Sequence, residues 1–239
     1  MGTNPCIHAS SLYFCSMLEV LYEDNHLIAV NKSAGIGVQG DSSGDRHLLD
    51  IAGDYLKAKY KKPGAAFVGL IHRLDRPVSG VVLLAKTSKG LSRMNEQFRN
   101  KSTHKIYHAI TEQELAENTG TLTHWLGKDS KTHRALTYGF EKPGTKLAIL
   151  HFTCLTKSKG RALYEIELET GRFHQIRAQL AKSKAPIIGD VKYGADAPLP
   201  DRSIALHARK LSFKHPITGV DIDITAPYPK TSVWQSVQP

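Results

Sequence analysis

Apolar and polar positions first fall into order near Leu18, where Leu18, Val20 and Tyr22 alternate with polar neighbours. The polar cluster Glu23-Asp24-Asn25-His26 interrupts them, and Leu27 to Val30 is again apolar, a pattern that predicts a β-hairpin. Between His47 and Tyr60 the period changes. Leu48, Ile51, Ala52, Tyr55 and Leu56 stand at i, i+3, i+4, i+7 and i+8, the stripe of an amphipathic helix in which Gly53 is the one weak position. Val81 to Ala85 reads as a short buried strand, and Thr87 as the N-cap of a helix with Leu91, Met94 and Phe98 inward. Tyr164, Ile166 and Leu168 alternate with glutamates, and Val220, Ile222 and Ile224 with aspartates, each predicting a strand with one wet face. After Gly171 a last helix is predicted, with Phe173, Ile176 and Leu180 on one face. Many strands, few helices and no strict βαβ alternation point to an α+β fold: a mixed, largely antiparallel β-sheet flanked by helices. One domain is expected over residues 18–229, after a loose arm at 1–17 and before a tail at 230–239.

Composition narrows the partners. A chain of 239 residues can bury a core without disulfides or metals, and 41% hydrophobic with 23% charged residues is ordinary globular usage. Lys and Arg outnumber Asp and Glu by 32 to 22, and the resulting +10 favours a polyanion. No apolar run reaches the roughly 18 residues of a membrane helix. Met1 to Asn31 holds no Lys or Arg to begin a signal peptide, so a membrane span and secretion are not expected. Cys6, Cys15 and Cys154 are odd in number and lack CxxC spacing, which supports neither a disulfide framework nor a zinc ribbon. The expectation is a cytoplasmic protein with reduced thiols and a nucleic-acid partner.

Candidate chemistry concentrates in Ile71-His72-Arg73-Leu74-Asp75-Arg76-Pro77-Val78-Ser79-Gly80. Pro77 and Gly80 keep Asp75 out of a helix, and the loop runs straight into the strand at Val81, so the carboxylate is aimed rigidly. Taken alone, such an aspartate is ordinarily a surface ion-pair residue. The wider match changes this. His72-Arg73-Leu74-Asp75 with Ser79-Gly80 resembles the HRLDxxTSG signature of the RluA-type pseudouridine synthases. Lys105-Ile106-Tyr107, Thr170-Gly171-Arg172-Phe173-His174-Gln175-Ile176-Arg177 and Ala205-Leu206-His207-Ala208 follow in that family's order. Pro186-Ile187-Ile188-Gly189-Asp190, Tyr193-Gly194, His215-Pro216-Ile217-Thr218-Gly219 and Asn31-Lys32-Ser33-Ala34-Gly35 are also similar to family segments, so the resemblance spans Leu18 to Gly219.

The resemblance implies a pseudouridine synthase fold without an S4 domain, acting on uridine within structured ribosomal or transfer RNA. The N1 glycosidic bond breaks, the base turns, and C5 is joined to C1′. It implies Asp75 as catalytic nucleophile or base, Arg177 as its ion-pair partner, and Tyr107 as the aromatic group against the target base. Leu206 would wall the uracil pocket, and Arg73 would fill the gap left by the flipped nucleotide. Neither cofactor nor metal is implied, and a monomer without an obligatory protein partner or membrane is expected. Basic clusters at Lys57 to Lys62, Arg99 to Lys105 and Lys157 to Arg161 would attract phosphates. Val78, Ser33, Phe173 and Ala178-Gln179 depart from the family pattern, and Phe173 and Gln179 bear on pocket shape or RNA contacts. Three other readings compete. A metal nuclease would use histidines, but His104 and His108 lack a zincin glutamate; a glycoside hydrolase would need a second carboxylate; an RNA-binding or RNA-folding protein on the same scaffold would have lost turnover.

Overall fold

The computed structural model describes residues 18–40, 44–158 and 160–236, and the arm expected at 1–17 lies outside them. Asp24 shapes the first turn, accepting hydrogen bonds from the His26 and Leu27 amides at 2.7 Å each. It joins strand β1 (Glu19–Glu23) to β2 (Leu27–Lys32). β2 runs antiparallel to β4 (Ser79–Ala85), whose other apolar partner is the short β3 (Gly69–Leu70). β4 has hardly a polar side chain because each of its faces meets a core. Val82 and Leu84 join Ile28, Val30 and Leu48, Ile51 and Leu56 of helix α1 (Leu48–Lys59). Val81, Leu83 and Ala85 join Leu27, Ala29 and Met94 of helix α2 (Ser88–Arg99). A strand covered on both sides loses the alternation of a half-wet one. Thr87 caps α2 as expected, its hydroxyl accepting from the Gly90 amide at 3.1 Å.

Beyond β4 the sheet continues through β10 (Leu206–Lys214), β5 (His104–Thr111), β9 (Arg161–Leu168), β8 (Lys146–Ser158), β6 (Thr119–Asp129) and β7 (Arg134–Tyr138). β11 (Asp221–Thr225) also pairs with β10. Among the described residues the β4–β10 pair is parallel and the other pairs are antiparallel, so the mixed, largely antiparallel α+β architecture is the one observed. Its parallel seam sets Ser79 opposite His207 and Gly80 opposite Ala208. Gly80 has φ +114°, and a Cβ there would strike the Ala208 backbone. Only glycine permits strands to meet so closely in that conformation. Ser79 adds a 2.9 Å hydrogen bond to His207 Nδ1 across the seam.

Three details differ from the sequence expectation. Helix α3 spans Gln175–Lys182, and its N-cap His174 is left-handed at φ 51°, so Phe173 precedes the helix. Phe173 therefore packs on a small cluster of Leu126, Ala135, Ala148 and Ala178 instead of joining Ile176 and Leu180 in the main core. Val220 is exposed and stands outside β11. From residue 230 onward the chain contributes to the core: in helix α4 (Ser232–Gln235) Val233 and Trp234 are buried, and the Trp234 ring stacks on Tyr228 at 5.2 Å.

Candidate active site

Central strands bring the separated sequence blocks together. Asp75 lies within the loop before β4, Leu206 opens β10, Tyr107 lies in β5 opposite Ala208, and Arg177 belongs to the first turn of α3. A cavity of about 130 Å³ is lined by Arg73, Asp75, Tyr107, Arg177 and Leu206 together with Val78, His174 and other residues of these segments. All five residues singled out in the sequence therefore face one space. That volume is about four waters' share of the liquid.

The loop carrying Asp75 is fixed from behind. The Val78 amide donates to the Asp75 carbonyl at 3.1 Å, and the Ile204 amide to the Pro77 carbonyl at 3.1 Å. Lys32 is only 1% exposed, yet it faces backbone carbonyls instead of a carboxylate. Its Nζ donates to Ser33 at 3.0 Å, Ile36 at 2.9 Å and Arg76 at 3.2 Å, the last being the residue after Asp75. Burial pushes the Lys32 amine down to about 7, although the nearby Asp75 charge opposes that shift.

Arg177 is the electrostatic hinge of the site. Its Nη1 donates to Asp75 Oδ2 at 2.9 Å, while Nε and Nη2 grip both oxygens of Asp190 at 2.7 and 2.8 Å. Burial alone would push the guanidinium pKa down, but Asp190 and then Asp75 outweigh it and hold the value above the usual. Asp190 is held in turn by the Gly189 turn, where φ is +85° and a Cβ would press on the Ser203 carbonyl.

His174 flanks the same carboxylate. Its Nε2 lies 3.5 Å from Asp75 Oδ2 and its Nδ1 2.8 Å from the Tyr193 hydroxyl. Burial first, then Arg177 and Lys192, bring its pKa down to about 4 against the pull of Asp75. The Tyr193 oxygen already accepts from the Ala135 amide at 2.6 Å. Tyr193 also lies under the Arg177 guanidinium at 5.0 Å. Tyr107 is a neutral phenol: burial and then the Asp75 charge raise its pKa.

Asp190, His174, Tyr193 and Lys32 were not singled out in the sequence as site residues, although each lies inside or beside a family-like block. No local pattern marks an aspartate thirteen residues beyond Arg177 as its partner. One sequence reading needs correction. Gln179 is fully buried and donates to the Leu122 and Ala148 carbonyls at 2.9 and 3.2 Å, tying α3 to β6 and β8 with no exposed surface to offer an RNA contact. In the expected phosphate clusters, Lys59 pairs with Glu23 at 2.7 Å, Lys157 with Glu114 at 2.8 Å and Lys101 with Glu169 at 3.6 Å. Cations without a carboxylate partner among the described residues also stand at the cavity: Arg73 and Arg172 on its lining, with Lys128 and Lys146 just beyond Arg172.

Comparison with known proteins agrees with this layout. The family model described as RNA pseudouridylate synthase matches residues 26–182. A Bacillus subtilis protein named Uncharacterized RNA pseudouridine synthase YhcT is 36% identical over 224 residues, covering 89% of this chain and 69% of that protein. Ribosomal large subunit pseudouridine synthase C of Rickettsia prowazekii is 36% identical over 213 residues, covering 88% and 68%. In fold, the chain superposes on the human RNA pseudouridylate synthase domain containing 4 with a TM-score of 0.76 at 22% identity, covering 92% of each chain. The chain belongs to the RNA pseudouridylate synthase family. Within that class it is an RNA pseudouridine synthase, an isomerase, and its match to RluA-type relatives is the one expected from its motifs.

Proposed function

We propose that this protein isomerises specific uridines of ribosomal RNA to pseudouridine, with Asp75 as the catalytic carboxylate. The observation that carries this reading is one carboxylate held by Arg177 at 2.9 Å inside a cavity the size of a single base. An ionised Asp75 acts on the ribose as a nucleophile at C1′ or as a base next to it, and the N1–C1′ bond breaks. The freed uracil turns, C5 bonds to C1′, the C5 proton leaves, and N1 gains a proton, so the product is an isomer of the substrate.

Other residues divide the remaining work. Tyr107, entering as the neutral phenol, gives the turning base an aromatic face and a hydroxyl for hydrogen bonding or proton relay. Leu206 is the apolar wall. A base inside RNA has to leave its stack first, and Arg73, exposed and without an ion-pair partner among the described residues, is suited to occupy the vacated space with its planar guanidinium. Ribosomal RNA is favoured over transfer RNA because curated relatives are named ribosomal large subunit pseudouridine synthases C and D. The same reading takes the protein as a cytoplasmic monomer working without a cofactor or an obligatory protein partner. No helix among the described residues is long and apolar enough to cross a membrane.

The test is to incubate the purified protein with unmodified large-subunit ribosomal RNA and with transfer RNA, and to map pseudouridine in each. New pseudouridine at defined ribosomal positions is expected. Modification confined to transfer RNA would overturn the ribosomal assignment.

A further inference from the structure

The 130 Å³ cavity holds one base, yet its substrate is a polymer whose neighbouring nucleotides must leave the cavity at its rim. On that rim lies a second hollow of about 300 Å³, lined by Leu126, Gly127, Lys128, Gly144, Lys146, Gly171, Arg172 and Phe173. It is contiguous with the first, since Gly171 and Arg172 line both. Phe173 is the aromatic residue of the second hollow. One face of its ring stacks on His174, with centroids 3.8 Å apart and planes 20° from parallel, and His174 in turn touches Asp75. The Lys128 ammonium is 5.2 Å from the centre of the same ring.

This ring is held in place independently of any ligand. Leu126, Ala135, Ala148 and Ala178 pack around it, and the left-handed turn at His174 turns position 173 out of the helix toward the rim. Lys128, whose ammonium stands over this ring, is exposed and pairs with no carboxylate among the described residues. Such an ammonium can move from the ring to a phosphate at little cost. Lys146 and Arg172 are likewise exposed and without a carboxylate partner among the described residues. Arg172 Nε donates to the Leu147 carbonyl at 2.9 Å, which leaves its Nη atoms for a phosphate. An aromatic platform ringed by exposed cations is the physical form of a nucleotide seat: the ring takes the base by stacking and the cations take the flanking phosphates.

We propose that Phe173 is a binding residue for the nucleotide next to the target uridine, its base stacking on the ring in place of Lys128 while Lys128, Lys146 and Arg172 hold the adjoining phosphates. This seat rests on the reading of the neighbouring cavity as the target-uridine site. It adds to that reading a contact with sequence-neighbour RNA, placed one ring away from the reacting carboxylate.

The test uses a synthetic RNA hairpin around a uridine that the wild-type protein modifies, and two copies of it with an abasic ribose on one or the other side of that uridine. Phe173→Thr is expected to raise KM on the intact hairpin by about 10-fold or more while kcat stays within about 2-fold, and Phe173→Trp to keep the wild-type KM, since one base–aromatic stack is worth that much. On one of the two abasic hairpins, wild type and Phe173→Thr should have equal KM. If Phe173→Thr loses the same factor on the intact and on both abasic RNAs, or loses nothing on any, the seat does not exist. Absence of any modification by the wild-type protein would instead remove the underlying reading of the target cavity, and it is seen before a variant is made.

Discussion

Asp190 takes two of the three donating nitrogens of Arg177, and so dictates that Arg177 offers Asp75 a single hydrogen bond, from Nη1 at 2.9 Å. A guanidinium free to turn would pair with Asp75 through its full fork, the geometry a carboxylate prefers. Clamped by Asp190, it neutralises Asp75 from one side and leaves the other oxygen for the substrate.

Asp190→Ala is therefore expected to affect both stability and rate. The aspartate side chain is 1% exposed, and its removal leaves a buried cation with one partner. Breaking a buried pair in this way costs about 3–5 kcal/mol, measurable by urea unfolding. Turnover should fall by about 100-fold as Arg177 shifts toward Asp75. An Asp190→Ala protein with wild-type kcat would show that the clamp has no role in setting the carboxylate.

Gly80→Ala tests the seam between β4 and β10. The new methyl group meets the Ala208 backbone in a conformation already unfavourable for an L-residue at φ +114°. A loss on the order of 3 kcal/mol or more is expected in chemical denaturation. Gly171→Ala, where a Cβ has open space, serves as a control and should change stability little.

Lys32→Met removes the donor shared by three carbonyls, including that of Arg76 beside Asp75. Methionine fills the volume but leaves those acceptors unpaired, at about 1 kcal/mol or more for each buried one. Stability should fall by a few kcal/mol, and kcat should fall as the Asp75 loop loosens, with KM for RNA less affected. The wild-type protein should also gain stability as pH rises from about 7 toward 10.5. Over that range the unfolded lysine still holds a proton that the buried amine has released.

Acid should act through three buried histidines. His72, His174 and His207 are each brought down to about 4, in every case chiefly by burial. Below 6.5 the unfolded chain protonates these rings while the folded one does not, so stability is expected to fall as pH drops from 6.5 to 4. Urea unfolding at several pH values should show a net uptake of protons in that window, to which His108 and His124, also lowered chiefly by burial, add. A flat profile would mean that these rings are not held neutral in the fold.

Legibility in the sequence followed the physics of each element. The first hairpin, α1, β4, α2 and β9 each carry an unbroken period and one dominant burial direction, and they stand where the period puts them. β6 and β8 do not: Thr121, Thr123, His124, His151 and Thr153 fall among their apolar residues, and much of both strands is exposed, so little alternation survives. Phe173 was drawn into a helical stripe by its spacing from Ile176, and the left-handed residue between them, His174, gives no sign in the sequence of breaking it. Asp75, Arg73, Tyr107, Arg177 and Leu206 were legible because family-like blocks carry them. The support behind them was not, since Asp190, Tyr193 and Lys32 acquire their roles only when distant loops are folded against one another.

The central claim is that the Asp75 carboxylate performs the chemistry within a site that otherwise binds RNA through Tyr107, Arg73 and surrounding cations. It is tested most directly by measuring pseudouridine formation and RNA affinity side by side for the wild type and Asp75→Ala. The account expects no pseudouridine above background from the variant, with RNA affinity within a few-fold of wild type. Pseudouridine produced by Asp75→Ala at a rate near that of the wild type would contradict it.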